Sequence, residues 1–140
     1  MQLDRWTRIY LTVLGVLALL AVVAWLWNRD PRVAELNAQL ARDALIADYP
    51  YRFRVLAIED KTVVVSSPRS PQVPAVRFLA ALEPGLRGKS DQDPDMIAAQ
   101  QRLGLVQSQV SARLKAYPGI ERLRWQLDVD WYAQHGIVMP

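Results

Sequence analysis

The sequence predicts an α+β protein: an N-terminal transmembrane helix, then a small, mostly antiparallel sheet with helices packed on one face. Three observations carry this. Residues 9–27, IYLTVLGVLALLAVVAWLW, form a nineteen-residue run without a charge. Beyond it, segments with apolar residues at three-to-four spacing interleave with segments in which apolar and polar residues alternate. Between those segments Pro, Gly and Asp gather where a chain must turn.

Composition narrows the function classes. The 140 residues hold 17 Lys and Arg against 14 acidic residues, a net charge of +3, which is too dilute to imply nucleic acid as a partner. Cysteine is absent, which excludes disulfides, thiolate metal sites and thiol nucleophiles, and the one His excludes a multi-histidine metal site. No cofactor is expected.

At 1.5 Å per residue, residues 9–27 make a helix about 28 Å long, close to the roughly 30 Å hydrocarbon core of a bilayer. Trp6 and Tyr10 mark one end and Trp25 and Trp27 the other, the positions of an aromatic belt at a membrane interface. Bulky Trp25-Leu26-Trp27 continues past the weak Val22-Val23-Ala24 cleavage pattern, so the segment is read as an uncleaved anchor. It has no ionisable group and no small residues at four-residue spacing, which leaves it a plain tether in lipid. Two Arg precede it and three lie within residues 28–47, so positive charge does not decide orientation; a short basic tail resists crossing, which places residues 1–8 in the cytoplasm and 28–140 outside. Arg far outnumbers Lys, as in a GC-rich bacterium, and the outside compartment is then the periplasm, an oxidising space the lack of Cys suits.

Asp30-Pro31 opens an amphipathic helix over 31–48, with Val33, Leu36, Leu40, Ala44 and Ala47 on its stripe. In YRFRVLAI, residues 51–58, Tyr51, Phe53 and Val55 alternate with Arg52 and Arg54, while Leu56 and Ile58 make the second face apolar at its far end. Glu59-Asp60-Lys61 turns the chain into the β-branched strand 62–66, a hairpin. Pro68, Pro71 and Pro74 mark an extended connector, and the serines at 66, 67 and 70 read as strand-end and turn residues. Residues 75–82 form a short helix, 83–93 a mobile loop, and Asp93-Pro94 caps a long helix with Leu103, Val106, Val110, Leu114 and Tyr117 on one stripe. Pro118-Gly119 ends it. In LRWQLDVDW, residues 123–131, Leu123, Trp125, Leu127, Val129 and Trp131 face one way and Arg124, Gln126, Asp128 and Asp130 the other: a half-buried last strand.

This order resembles the BON domain, a small αββαβ module of bacterial envelope proteins. The likeness lies in helix 31–48, the hairpin VLAIEDKTVVVSS, and AYPGIERLRWQLD, where Pro118-Gly119-Ile120 stands in place of the family's Gly-Val before its last strand. Ser66-Ser67 replaces the glycine usual after the second strand, and 68–93 is longer than the family's connection. The resemblance implies an envelope module that contacts membrane surfaces or other envelope components.

Catalytic constellations are weak. Gly88-Lys89-Ser90-Asp91-Gln92-Asp93 resembles the Ser-Asp-x-Asp core of nucleotidyltransferases, whose two carboxylates hold Mg²⁺, but here Pro94 follows and the stretch reads as a solvated loop whose Asp93 caps a helix. Asp128 and Asp130 are expected about 7 Å apart on the outer strand face, balanced by Arg122 and Arg124. His135 has no Ser elbow and no second ligand nearby. Arg52, Arg54, Arg69 and Arg77 are a candidate basic contact patch for anionic headgroups or an acidic partner. The sequence therefore points to a non-enzymatic, single-pass inner-membrane protein whose periplasmic domain binds an envelope partner or itself. The alternative is an accessory subunit of a larger secretion, pilus or division assembly, with a nucleotidyltransferase-related enzyme third.

Overall fold

A computed structural model of the protein describes residues 4–69 and 71–137; the turn role read for Ser70 and the last residues of the tail, 138–140, lie outside them. The chain divides into two compact units at Pro31/Arg32. The first holds helix α1, Arg5–Trp27, which Asp4 caps by accepting from the Arg5 N–H. With a mean hydropathy of 2.6 over its most apolar 18 residues, α1 is long and apolar enough to cross a membrane.

The second unit is α+β. Its elements are α2 (Pro31–Arg42), α3 (Ala44–Ala47), β1 (Val55–Glu59), β2 (Thr62–Ser67), α4 (Ala75–Leu82), a 3-10 turn (Pro84–Leu86), α5 (Pro94–Lys115), β3 (Arg122–Leu127) and α6 (Val129–Gln134). β2 is the central strand, antiparallel to β1 and parallel to β3. The sheet is thus mixed rather than mostly antiparallel, because α4 and α5 return the chain to the start of β2 before β3 begins.

Three local expectations change for identifiable reasons. The helix predicted over 31–48 is two helices, since the Asp43 carboxylate accepts from the N–H groups of Leu45 and Ile46 and restarts it. The apolar second face predicted from Leu56 and Ile58 does not form. A β-bulge between Val55 and Ala57 shifts the phase, so Ile58 pairs with Val63 and joins Val55 on the core side, while Leu56 is exposed. The last strand ends at Leu127, not Trp131, because Asp128 accepts from the Trp131 N–H and caps α6, which leaves Val129 exposed. The segment expected as a mobile loop, 83–93, carries the 3-10 turn, whose Leu86 is buried.

The core lies between the sheet's inner face (Val55, Val63, Val65) and Leu36, Leu40, Phe78, Leu79, Met96, Leu103, Val110 and Leu114 from the helices. Tyr51 stands edge-on to Phe53, Phe78 and Trp131 at 4.9, 5.6 and 6.0 Å. Each such buried side chain is worth roughly 1.5–3 kcal/mol over its exposed state. Exposed pairs such as Lys61–Glu121 at 3.1 Å add about 0–1 kcal/mol, so packing and not surface charge holds this unit together. On the outer face Arg124 of β3 reaches Glu59 of β1 at 3.2 Å, across β2, where Val64 is fully covered.

A candidate interaction edge and its cleft

β3 is set in place from both ends. The turn before it needs a positive φ, +89° at Gly119, and buried Ile120 pins the chain. The N–H groups of Glu121 and Arg122 donate to the Lys61 carbonyl, and that of Asp128 to Ser67. In a parallel ladder the bonded residues alternate, so Arg122, Arg124, Gln126 and Asp128 bond β2 while the N–H and C=O groups of Leu123, Trp125 and Leu127 point away from the sheet. Among the described residues, no hydrogen bond is made to these outward groups.

Asp128 closes the far end. Its Oδ2 accepts from the Tyr51 hydroxyl at 2.9 Å and from Arg54 at 3.1 Å, while its Oδ1 caps α6. Burial pushes the Tyr51 phenol well above its ordinary range, which keeps it a donor. Tyr132 of α6, raised to about 12 by burial, donates to the Pro68 carbonyl and ties α6 to the connector after β2.

A cleft of about 650 Å³ lies beside this edge. Gly104, Gln107, Ser108 and Ser111 of α5 form one wall, with Trp125 and Ser67 opposite and Arg69 and Pro71 at the lip. Spacings of three and four put those α5 residues on one helical flank, and three of them are small. A Cβ added at Gly104 would meet nothing within 4 Å. Arg69 donates to Gln107 at 3.4 Å across the lip. Trp125, expected in the core from its alternation, is 38% exposed at this rim, with its ring 6.1 Å from that of Phe53 in the core.

The residues singled out from sequence are dispersed. Trp6, Tyr10, Trp25 and Trp27 are all exposed on α1, with Trp6 and Trp27 separated by about 32 Å of helix rise; Arg29 sits 4.1 Å over the Trp25 ring. Arg52 and Arg54 line a second cleft with Asn37 and Tyr49, whereas Arg69 lines the first and Arg77 stands exposed on α4. The buried Tyr49 hydroxyl has no hydrogen-bond partner among the described residues, and burial raises it to about 12. In the acidic loop Asp93 caps α5 by accepting from the Asp95 N–H, and Lys89 pairs with Asp95, which raises the lysine above its ordinary value. Asp128 and Asp130 do not share a strand face: one caps α6 and the other lies in its first turn. His135 stacks on Trp131 at 3.9 Å and bonds its carbonyl.

Sequence reasoning did not find Asn37, Asp43 or the α5 flank. Asn37 bonds both the N–H and the C=O of Val55, at 2.7 and 3.1 Å. Asp43 binds Gln109 and Arg113, each at 2.7 Å, and these contacts, Gln109 foremost, hold its carboxyl below the usual value against the opposing cost of burial. The signal for the flank is Gly104 amid a long helix. Comparison of the chain with protein-family models, with curated proteins and with solved structures finds no match.

Proposed function

We propose that this protein is a non-enzymatic, single-pass inner-membrane protein whose periplasmic α+β domain is an interaction module for other envelope components. The observation that carries the reading is the open edge of β3 with an Arg- and Trp-rimmed cleft beside it. An uncovered edge strand is a template for another polypeptide, and soluble domains normally blunt such edges. α1 supplies the membrane part by its length, apolarity and flanking aromatics. The order α2, β1, β2, α5, β3 supports the envelope-module resemblance, with α3, α4, the 3-10 turn and α6 added to it. The acidic loop supports a binding role over nucleotide chemistry, since Asp93 serves as a helix cap and Lys89 neutralises its neighbours.

Photo-crosslinking tests this. A photoreactive residue replacing Ser111, in full-length protein in intact cells, is expected to capture an envelope component, and one replacing Leu56 on the bulge is not. Capture of no protein, glycan or lipid from position 111 overturns the reading. Native mass in mild detergent then separates a small complex from a large assembly. Protease treatment of spheroplasts is expected to degrade residues 28–140; their protection overturns the topology.

A further inference from the structure

We propose that the β3 edge pairs with the β3 edge of a second copy of this chain, antiparallel and centred on Trp125, joining two three-stranded sheets into one of six strands. The proposal rests on the reading of the domain as an interaction module and names its partner.

The register follows from the backbone. The outward groups belong to Leu123, Trp125 and Leu127, so a two-fold axis at Trp125 lets Trp125 exchange both hydrogen bonds with its counterpart, and Leu123 with Leu127 of the second copy. Six bonds form without disturbing the β2–β3 ladder. Side chains agree. Trp125 meets Trp125 and Leu123 meets Leu127 on the inner face; on the outer face Arg124 lies opposite Gln126. Four other two-fold registers use the same outward groups, and all are worse: centring on Arg124 sets that arginine against itself, and centring on Gln126 forms four bonds instead of six. Centring on Leu123 sets Arg122 directly against Arg124 twice, and like charges opposite one another destabilise a strand pair. Centring on Leu127 runs Trp125 against Val129, which is already in α6. The other sheet edge cannot compete, because Asn37 occupies the outward groups of Val55 and the bulge follows at once. A pairing of six residues is weak alone, and confinement of both copies to one membrane raises their effective concentration.

The absence of cysteine makes the test clean. In full-length protein reconstituted in lipid nanodiscs, Trp125→Cys is expected to give a disulfide dimer under mild oxidation, since the paired Cα atoms lie about 5.5 Å apart. Leu123→Cys alone is expected to give none, its counterpart being about 14 Å away by strand rise. A mixture of Leu123→Cys and Leu127→Cys protomers is expected to crosslink. Gln126→Arg, an exposed change outside the core, is expected to weaken the dimer about tenfold and Gln126→Glu to tighten it several-fold, with unchanged thermal melting of the monomer as the folding control. Failure of Trp125→Cys to crosslink, or self-crosslinking of Leu123→Cys, overturns the proposal. If position 125 fails while photo-crosslinking from position 111 captures a different component, the interaction reading stands and self-pairing alone falls.

Discussion

The two edges of the sheet are built from strands of similar length and treated in opposite ways. At β1 an asparagine on α2 offers its amide to Val55 as a neighbouring peptide group would, and the bulge at Leu56 twists the next residue out of register. At β3 the outward groups of three alternate residues have no such cover, the strand is regular, and its neighbour α5 presents small side chains that leave a cleft. Edge protection costs this fold only one side chain, so an edge left without it stands out as a functional feature rather than an oversight of packing.

The largest expected effect is at Asp128, which fixes where the open edge stops. Asp128→Ala removes the α6 cap and leaves the Tyr51 hydroxyl buried without its acceptor, and is expected to cost about 2–4 kcal/mol. Urea denaturation of detergent-solubilised protein, followed by near-ultraviolet circular dichroism, measures it. Asp128→Asn, whose single side-chain oxygen can still cap α6 while its NH2 group faces the phenol and Arg54, is expected to recover about half. A loss below 0.5 kcal/mol for the alanine variant would show that β3 ends independently of this carboxylate.

Opening the protected edge comes next. Asn37→Ala strips Val55 of two hydrogen bonds, for an expected loss of about 1–3 kcal/mol, with faster amide exchange at Val55 than at Ile58. Asn37→Asp keeps the acceptor for the Val55 N–H but loses the donor, and should fall between. If the alanine variant also begins to associate through β1, the contrast between the edges reduces to this one amide.

That amide shows why the sequence was only partly legible. Local pattern suffices for α1, whose uncharged run needs no partner to be read, and for the stripes of α2 and α5 and the 59–62 hairpin. It fails where a residue's role depends on distant chain. LDVDW alternates as a strand would, and only the Asp128 cap turns it to helix. Leu56 and Ile58 look like an apolar second face until a single bulge reverses the phase. Which strand ends up central, and hence that Trp125 lies at a rim rather than in the core, is decided by the path of α4 and α5 between β2 and β3, a long-range property no window of residues contains.

Acid is expected to loosen the protected side. The bonds from Gln109 and Arg113 depress the folded-state pKa of Asp43, so the charged form favours folding. That contribution is complete above the unfolded value near 3.8 and is lost as pH falls through it and on through the lower folded value. Melting temperature should therefore fall between about pH 5 and pH 3, and Asp43→Asn, already without the charge, should lose less over the same interval. Because Asp43 follows directly on α2, exchange at Val55 should rise with it. An Asn variant with the same acid slope as the parent would assign the acid sensitivity to other carboxylates.

The smallest effect separates stability from use of the open side. Gly104 sits in the middle of a 22-residue helix, where glycine costs about 1 kcal/mol relative to alanine. Its Cβ position is empty, so Gly104→Ala should raise stability by about 0.5–1 kcal/mol at no steric cost. Gly104→Leu should keep part of that helix gain while filling the cleft next to Trp125. If the cleft serves binding, crosslinking from position 111 falls in the leucine variant but survives in the alanine variant, and the glycine is a concession of stability to function. Equal crosslinking in both would show that the cleft is only the space left by small side chains, and that the strand edge acts alone.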